Sequence, residues 1–252
     1  MKRIVISIIA VALCAGIAGA KEPAGTLTRF RGEDFSKVMN YTSSDLEYLP
    51  GSPRVEIIGS KQARESIMLM SSGDNLMIHV SENSYEKEPA KIKVYGNKVE
   101  SIMLYGSGDA KVDKFTGTNL SLMLFGSGDI TAGSVKASVV TLGVFGSGDL
   151  VVGSAESSSS AKVNVGGSGD ILVRKMNSRS VEANVMGSGD LNINLVNTTT
   201  LRAVVMGSGD ITLAGSCTNA SLMCQGSGNI NARGLKATKV SKIIQGSGDI
   251  HN

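Results

Sequence analysis

With 252 residues the chain is long enough to bury a sizeable core in one domain. Its 31 glycines, ten Phe and Tyr residues, absence of tryptophan and 41% hydrophobic content argue against a collagen, a coiled coil or a disordered chain. The formal charge of +3 falls to +1 without the first twenty residues, which carry Lys2 and Arg3 and no acid, so no electrostatic case for nucleic acid or an anionic membrane survives.

Lys2 and Arg3 precede an apolar run from Ile4 to Ile17, and Ala18-Gly19-Ala20 supplies the small residues a signal peptidase accepts. Residues 1–20 therefore read as a signal peptide cleaved before Lys21, and the run is short for a membrane span. The expected mature protein is exported to the periplasm, outer cell surface or medium, with no transmembrane segment. Leu13 before Cys14 does not make a lipobox. Residues 21–33 are expected to be a mobile start.

Residues 34–100 do not repeat and read as an N-terminal β cap, with a strand at Arg54–Ile58 and two more flanking Ser71-Ser72-Gly73-Asp74, a degenerate copy of the motif that follows. From 101 to 252 one tetrapeptide organises the chain. Gly-Ser-Gly-Asp opens at Gly106, Gly126, Gly146, Gly167, Gly187, Gly207 and Gly246, and Gly226 opens a Gly-Ser-Gly-Asn copy. The spacings are 20, 20, 21, 20, 20, 19 and 20. Of the sixteen residues two and four places before these first glycines, all but Lys242 are apolar. Ala110, Ile130, Leu150, Ile171, Leu191, Ile211, Ile230 and Ile250 follow the motif, so the side-chain period of two continues beyond each turn. Two short strands and two turns in twenty residues match one coil of an all-β, parallel β-solenoid, with coils stacked about 4.8 Å apart, and an all-antiparallel sandwich is the alternative. The motif glycines are expected at a crowded or positive-φ corner. At the far end, Lys242 and Asn252 are expected to blunt the last coil by their polarity.

Phe35, the region from Leu46 to Gln62 and the train of Gly-Ser-Gly-Asp-aliphatic turns resemble the head GIN domain family of auto-transporter adhesin heads, common in Bacteroidetes, over roughly residues 34–250. The resemblance implies an exported, β-helix-like protein with an adhesin-like role. Asn229 departs from the family's acidic motif position, so not every motif carboxylate is required.

Asp109, Asp129, Asp149, Asp170, Asp190, Asp210 and Asp249 form a row of like charges when coils stack. Calcium is one way to offset them, but calcium-binding stacked repeats have a nine-residue period that is missing here. The favoured reading is that each carboxylate accepts N–H groups within its own turn, as Asn229 also can. Near-identical surroundings do not produce the protonated and ionised pair that glycoside chemistry needs. His79 and His251 are not placed to serve as a base for the serines. Cys217 and Cys224 invite a disulfide but lack zinc-ligand neighbours. The motif is no phosphate loop, because no Lys-Ser/Thr and helix follow. No catalytic residue, metal or cofactor is expected.

One place before the first glycines stand Tyr105, Phe125 and Phe145, and three places before stand Met103 and Met123, all in the outward register. Met103, Tyr105, Met123, Phe125 and Phe145 thus form a candidate apolar binding surface. The expected function is a non-catalytic binding or structural module of the cell envelope, and the alternative is a β-helix enzyme acting on polysaccharide. Expected partners are a second copy of the chain, an extracellular protein or a glycan.

Overall fold

The structure is a computed structural model and describes residues 25–29, 34–81 and 88–252. The expected signal peptide lies outside these residues, as does most of segment 21–33, except that Gly25–Arg29 forms a strand. No described helix is long and apolar enough to cross a membrane.

The N-terminal part contains β1 (Gly25–Arg29), β2 (Lys37–Asn40), β3 (Asp45–Leu49), β4 (Arg54–Gly59), α1 (Lys61–Ser66), β5 (Ile67–Ser72), β6 (Asn75–Val80) and β7 (Lys91–Tyr95). The motif region follows with β8 (Ser101–Leu104), β9 (Ala110–Thr116), β10 (Asn119–Leu124), β11 (Ile130–Val144), β12 (Leu150–Val165), β13 (Ile171–Val185), β14 (Leu191–Val205), β15 (Ile211–Cys224), β16 (Ile230–Ile244) and β17 (Ile250–His251). The long strands cover two sides of the coil. Register shifts such as those between Ala137 and Val139 and between Leu195 and Thr198 turn the second corner. The Gly-Ser-Gly-Asp segment turns the first.

Successive coils pair in parallel, residue on equivalent residue, as in Leu122 on Leu142 and Ile130 on Leu150. The protein is therefore an all-β parallel solenoid. Its inward columns are closed to solvent: Leu122, Leu142, Val163, Ala183 and Leu222 form one, and Phe115, Val135, Ala155, Met176 and Leu195 another. In the second column bulky and small side chains alternate unevenly, and all are at most 1% exposed.

In the cap the order in space differs from the order in sequence. The coil made by β2 and β3 lies against β8 and β9 on one side and against β6 and β7 on the other. The earliest coil in the chain is thus held between two later ones. Beyond β6 and β7 the direction reverses, with β5 antiparallel to β6, β4 antiparallel to β7 and β1 antiparallel to β4. Because β4 and β5 lie on opposite sides of the coil, α1 between them crosses its end and buries Ala63 and Ser66. The parallel stack is closed there.

This arrangement corrects the assignment of the degenerate motif. Ser71-Ser72-Gly73-Asp74 is no solenoid corner: Ser72 pairs with Asn75, and Gly73 at φ +64° closes a tight hairpin between β5 and β6. The real degenerate copy is Thr42-Ser43-Ser44-Asp45, which stacks beneath Gly106-Ser107-Gly108-Asp109. The buried Asn40 holds this corner, with Oδ1 accepting from the Thr42 amide at 3.1 Å and Nδ2 donating to the Ser44 carbonyl at 2.8 Å. A polar residue at an inward position is tolerated because both ends of its amide are satisfied.

At the other end, polarity does not cover the last coil. Lys242 Nζ donates to the Ile250 carbonyl at 3.4 Å, yet Val240, Ile243 and Ile244 are 40%, 40% and 49% exposed. Cys217 and Cys224 are both free thiols. Cys224 is a fully buried core residue that donates to the Gly228 carbonyl, and burial pushes the Cys217 thiol above its ordinary pKa.

Candidate functional site

The first corner carries the motif, and its carboxylates do not act within their own turns. Asp109 Oδ1 accepts the backbone N–H of Asp129 at 2.9 Å, Asp129 that of Asp149 at 2.8 Å, and Asp149 that of Asp170 at 2.8 Å. The series begins at Asp45 and passes through Asn229, whose Oδ1 accepts from the Asp249 amide at 3.0 Å. In return, the carbonyl of Asp149 accepts from the amide of Ile130 in the coil beneath. Each side chain thus bonds to the next coil, and the partly positive N–H between successive carboxylates offsets part of their repulsion. Among the described residues no group of three or more His, Cys, Asp and Glu could hold an ion. Asp149→Asn is expected to keep the melting temperature close to the parent value because it retains the acceptor. Asp149→Ala leaves the Asp170 amide without a partner and is expected to lower it by a few degrees in thermal unfolding.

The motif glycines are needed for close approach. None has a left-handed φ, since Gly51, Gly73 and Gly215 are the described glycines that do. A Cβ on Gly146 would stand 1.8 Å from the Gly126 carbonyl oxygen, which reaches beneath it to accept from the Ser147 amide at 3.1 Å.

The two broad sides of the solenoid differ. The side formed by the strands after each motif carries charged and amide groups. Glu47 there takes Lys91 at 2.9 Å and Lys93 at 3.7 Å, and its hydrogen bond to Lys91 holds its carboxyl below the usual range, opposed by burial and helped by the nearby Lys93 and Lys111 charges. This is an ion-pair cluster in which Lys93 stands between Glu47 on β3 and Glu56 on β4.

The opposite side is apolar over its first half. Tyr105, Phe125 and Phe145 stack ring on ring, and the row continues into the cap through Tyr41 and His79. From His79 to Phe145 the centroid separations are 4.4, 4.5, 4.8 and 5.3 Å and the planes lie within 14° of parallel, so the row runs about 19 Å. Tyr41, Tyr105, Phe125 and Phe145 are each 37–39% exposed. Beside the rings lies a row of thioethers, with Met123 paired to Met103, Met103 to Met39 and Met39 to Met77. The hydroxyls of Tyr41 and Tyr105 donate to the sulfurs of Met39 and Met103, both at 3.6 Å. Desolvation in the row, then the neighbouring Tyr41 phenol, push the Tyr105 hydroxyl above its ordinary pKa.

Because each ring covers the next, the stack consumes the ring faces. Phe145 lies over Gly166, where a Cβ would come within 2.6 Å of the ring. What faces outward is a strip of ring edges and thioethers. Further along, Met186 and Met206 are 47% exposed, and amide pairs take over, Asn184 to Asn164 at 3.0 Å and Gln225 to Gln245 at 2.7 Å.

All five residues singled out from the sequence, Met103, Tyr105, Met123, Phe125 and Phe145, lie on this one side. Met39, Tyr41, Met77 and His79, together with Met68 and Met70 on β5, extend it and were not found from the motif. A signal was present, because Met39-Asn40-Tyr41-Thr42-Ser43-Ser44-Asp45 repeats the Met-x-aromatic spacing of Met103-Leu104-Tyr105-Gly106-Ser107-Gly108-Asp109.

Solved structures share the fold, among them the following three. A putative adhesin from Bacteroides fragilis NCTC 9343 is 20% identical with a TM-score of 0.74, covering 92% of this chain and 97% of that one. A putative lipid binding protein from Parabacteroides distasonis ATCC 8503 is 20% identical with a TM-score of 0.77, covering 91% and 96%. A putative adhesin from Parabacteroides merdae ATCC 43184 is 14% identical with a TM-score of 0.73, covering 92% and 97%. No curated protein matches by sequence. The family described as "Putative auto-transporter adhesin, head GIN domain" matches residues 34–199 and again 157–251, and the chain belongs to that family.

Proposed function

We propose that the protein is an exported, non-catalytic binding module of the bacterial envelope, adhesin-like in role, and that it makes contact through its methionine and aromatic side. The observation that carries this reading is the solvent-exposed row from His79 to Phe145 flanked by thioethers. Contiguous exposed apolar surface of this kind marks contact with another body, and methionine adapts to varied apolar shapes. A sugar stacks on the face of an aromatic ring, and these faces are already covered, so an apolar protein surface suits the strip better than a glycan. A second reading, in which the strip takes acyl chains, is supported by its length of about 19 Å and by the fold neighbour described as lipid binding.

The test compares the protein with a Tyr105→Ser, Phe125→Ser, Phe145→Ser variant in sedimentation against concentration, flotation with phosphatidylcholine vesicles, a glycan array and a polysaccharide hydrolysis screen. Self-association or vesicle binding that the variant loses by about tenfold or more, at an unchanged melting temperature, is the expected result. Equal behaviour of the two proteins in every assay overturns the assignment of the surface. Release of product from a polysaccharide overturns the non-catalytic role.

A further inference from the structure

Of the eleven methionines, nine lie on the apolar side, Met39, Met68, Met70, Met77, Met103, Met123, Met186, Met206 and Met223, whereas Met176 is buried in the core. An apolar contact surface alone does not call for sulfur, since leucine would cover the same area. The thioethers are densest at the β5–β6 hairpin, where they meet an imidazole. Met68 pairs directly with His79 and Met70 directly with Met77, while Ile67 and Leu69 on β5 and Leu76 and Ile78 on β6 turn inward to the core. Paired residues of an antiparallel ladder share one side of the sheet with Cβ atoms about 5 Å apart. His79, Met77, Met68 and Met70 therefore occupy the four corners of one small rectangle, all half-buried and all open to one side.

The support beneath this block is rigid. Gly73 fixes the hairpin register, Asp74 at its tip accepts from the Ser36 hydroxyl, and that hydrogen bond holds the Asp74 carboxyl below its ordinary pKa. The His79 ring is stacked on Tyr41 at 4.4 Å and 7°, which sets its plane. Among the described residues neither ring nitrogen of His79 has a hydrogen-bond partner.

One imidazole with three thioethers is a soft donor set. Carboxylate and carbonyl ligands suit magnesium and calcium, and thiolate or several imidazoles suit zinc, whereas thioether sulfur selects Cu(I) and its chemical likeness Ag(I). Methionine has three rotatable bonds beyond Cα, so sulfurs anchored at neighbouring corners can close on one ion. We infer that His79, Met68, Met70 and Met77 form a binding site for a soft monovalent cation, Cu(I) in the first place. Binding requires no redox step: the ion enters as Cu(I) and is held by lone pairs of sulfur and of the neutral imidazole. This inference goes beyond the contact surface proposed above and is separable from it, because leucine in place of the three methionines keeps the apolar area and removes the sulfur.

Ag(I) is the probe, being stable to air, with Zn(II) as the control. Free thiols compete for both Ag(I) and Cu(I), so the titration uses the full chain with Cys14, Cys217 and Cys224 replaced by alanine. Saturable binding of one Ag(I) per chain is expected, with no comparable Zn(II) binding. A Met68→Leu, Met70→Leu, Met77→Leu variant and a His79→Ala variant are each expected to weaken it by about a hundredfold. If the cysteine replacements unfold the chain, methyl-labelled methionine spectra of the parent protein serve instead. Ag(I) should then shift the methyl signals of Met68, Met70 and Met77 and leave those of Met186 and Met206 in place. Absence of one-to-one binding, equal affinity in the leucine variant, or uniform shifts over all surface methionines would overturn the site. Loss of Ag(I) binding with vesicle binding or self-association retained separates it from the contact surface.

Discussion

Gly146→Ala is expected to destabilise the protein by about 3 kcal/mol or more, although it adds a single methyl group. The added Cβ would stand 1.8 Å from the Gly126 carbonyl oxygen and 2.8 Å from its carbon. Neither atom is the end of a flexible side chain. That carbonyl is bonded to the Ser147 amide, so moving it away breaks an inter-coil hydrogen bond and widens a step that the neighbouring Asp149 bond holds closed. Overpacking in ordinary cores costs about 1–3 kcal/mol because side chains can shift, whereas here backbone meets backbone. Gly234→Ala provides the comparison: its nearest atom would be the Ala214 Cβ at 3.1 Å, in an exposed stretch of β16, and little change is expected. In thermal unfolding followed by far-ultraviolet circular dichroism, Gly146→Ala should melt about ten degrees below the parent. Equal melting of Gly146→Ala and Gly234→Ala would show that the coils are not so closely apposed.

The same contact explains which parts of the fold were legible in the sequence. A twenty-residue period with inward residues every second place favoured stacked coils over an antiparallel sandwich, and the parallel pairing of Leu122, Leu142 and Val163 decides for the former. The reason for the glycine was not legible. Crowding and a left-handed φ both ask for glycine, and only the distance to the coil beneath distinguishes them. The partner of each aspartate was hidden in the same way, since an acceptor for its own turn and one for the next coil have the same sequence.

The cap was misread for a related reason. Thr42 and Ser44 stand where the later corners carry their two glycines, with Gly106 and Gly108 lying directly on their carbonyls, so a search for Gly-Ser-Gly-Asp passes over this copy. Ser71-Ser72-Gly73-Asp74 kept a glycine for the different purpose of a hairpin with positive φ. The apolar side was accordingly half visible: Met103, Tyr105, Met123, Phe125 and Phe145 stood in register with the motif, while Tyr41 and His79 were brought to the row by pairings that no period announces.

Phe115→Ala is expected to cost about 3–5 kcal/mol and to separate the cap from the repeats. Phe115 is a fully buried side chain in the column it shares with Val135 and Ala155. On the side of the cap its neighbour is Tyr48, edge to face at 5.2 Å and 70°. Tyr48 is anchored by donating its hydroxyl to the Gly96 carbonyl at 2.7 Å, and burial pushes that hydroxyl above its usual pKa. Backbone pairing between β3 and β9 spans only Leu46–Tyr48 on Ala110–Val112, whereas β9 pairs with β11 out to Thr116. Beyond Val112, therefore, the joint between cap and repeats depends on the Phe115 ring more than on the ladder. In stacked repeats each unit is stabilised mainly by its two neighbours, so weakening one joint divides the array where it is weakened. A lower first transition with early protease cleavage inside residues 34–100, and a second transition near the parent temperature, is the expected outcome in thermal unfolding and limited proteolysis with mass mapping. Leu142→Ala, deep among equivalent coils with long ladders on both sides, should lower stability by about 2–5 kcal/mol without the same pattern of cleavage. A single transition for Phe115→Ala, with cleavage spread evenly along the chain, would show that the ladder and not the ring holds the two parts together.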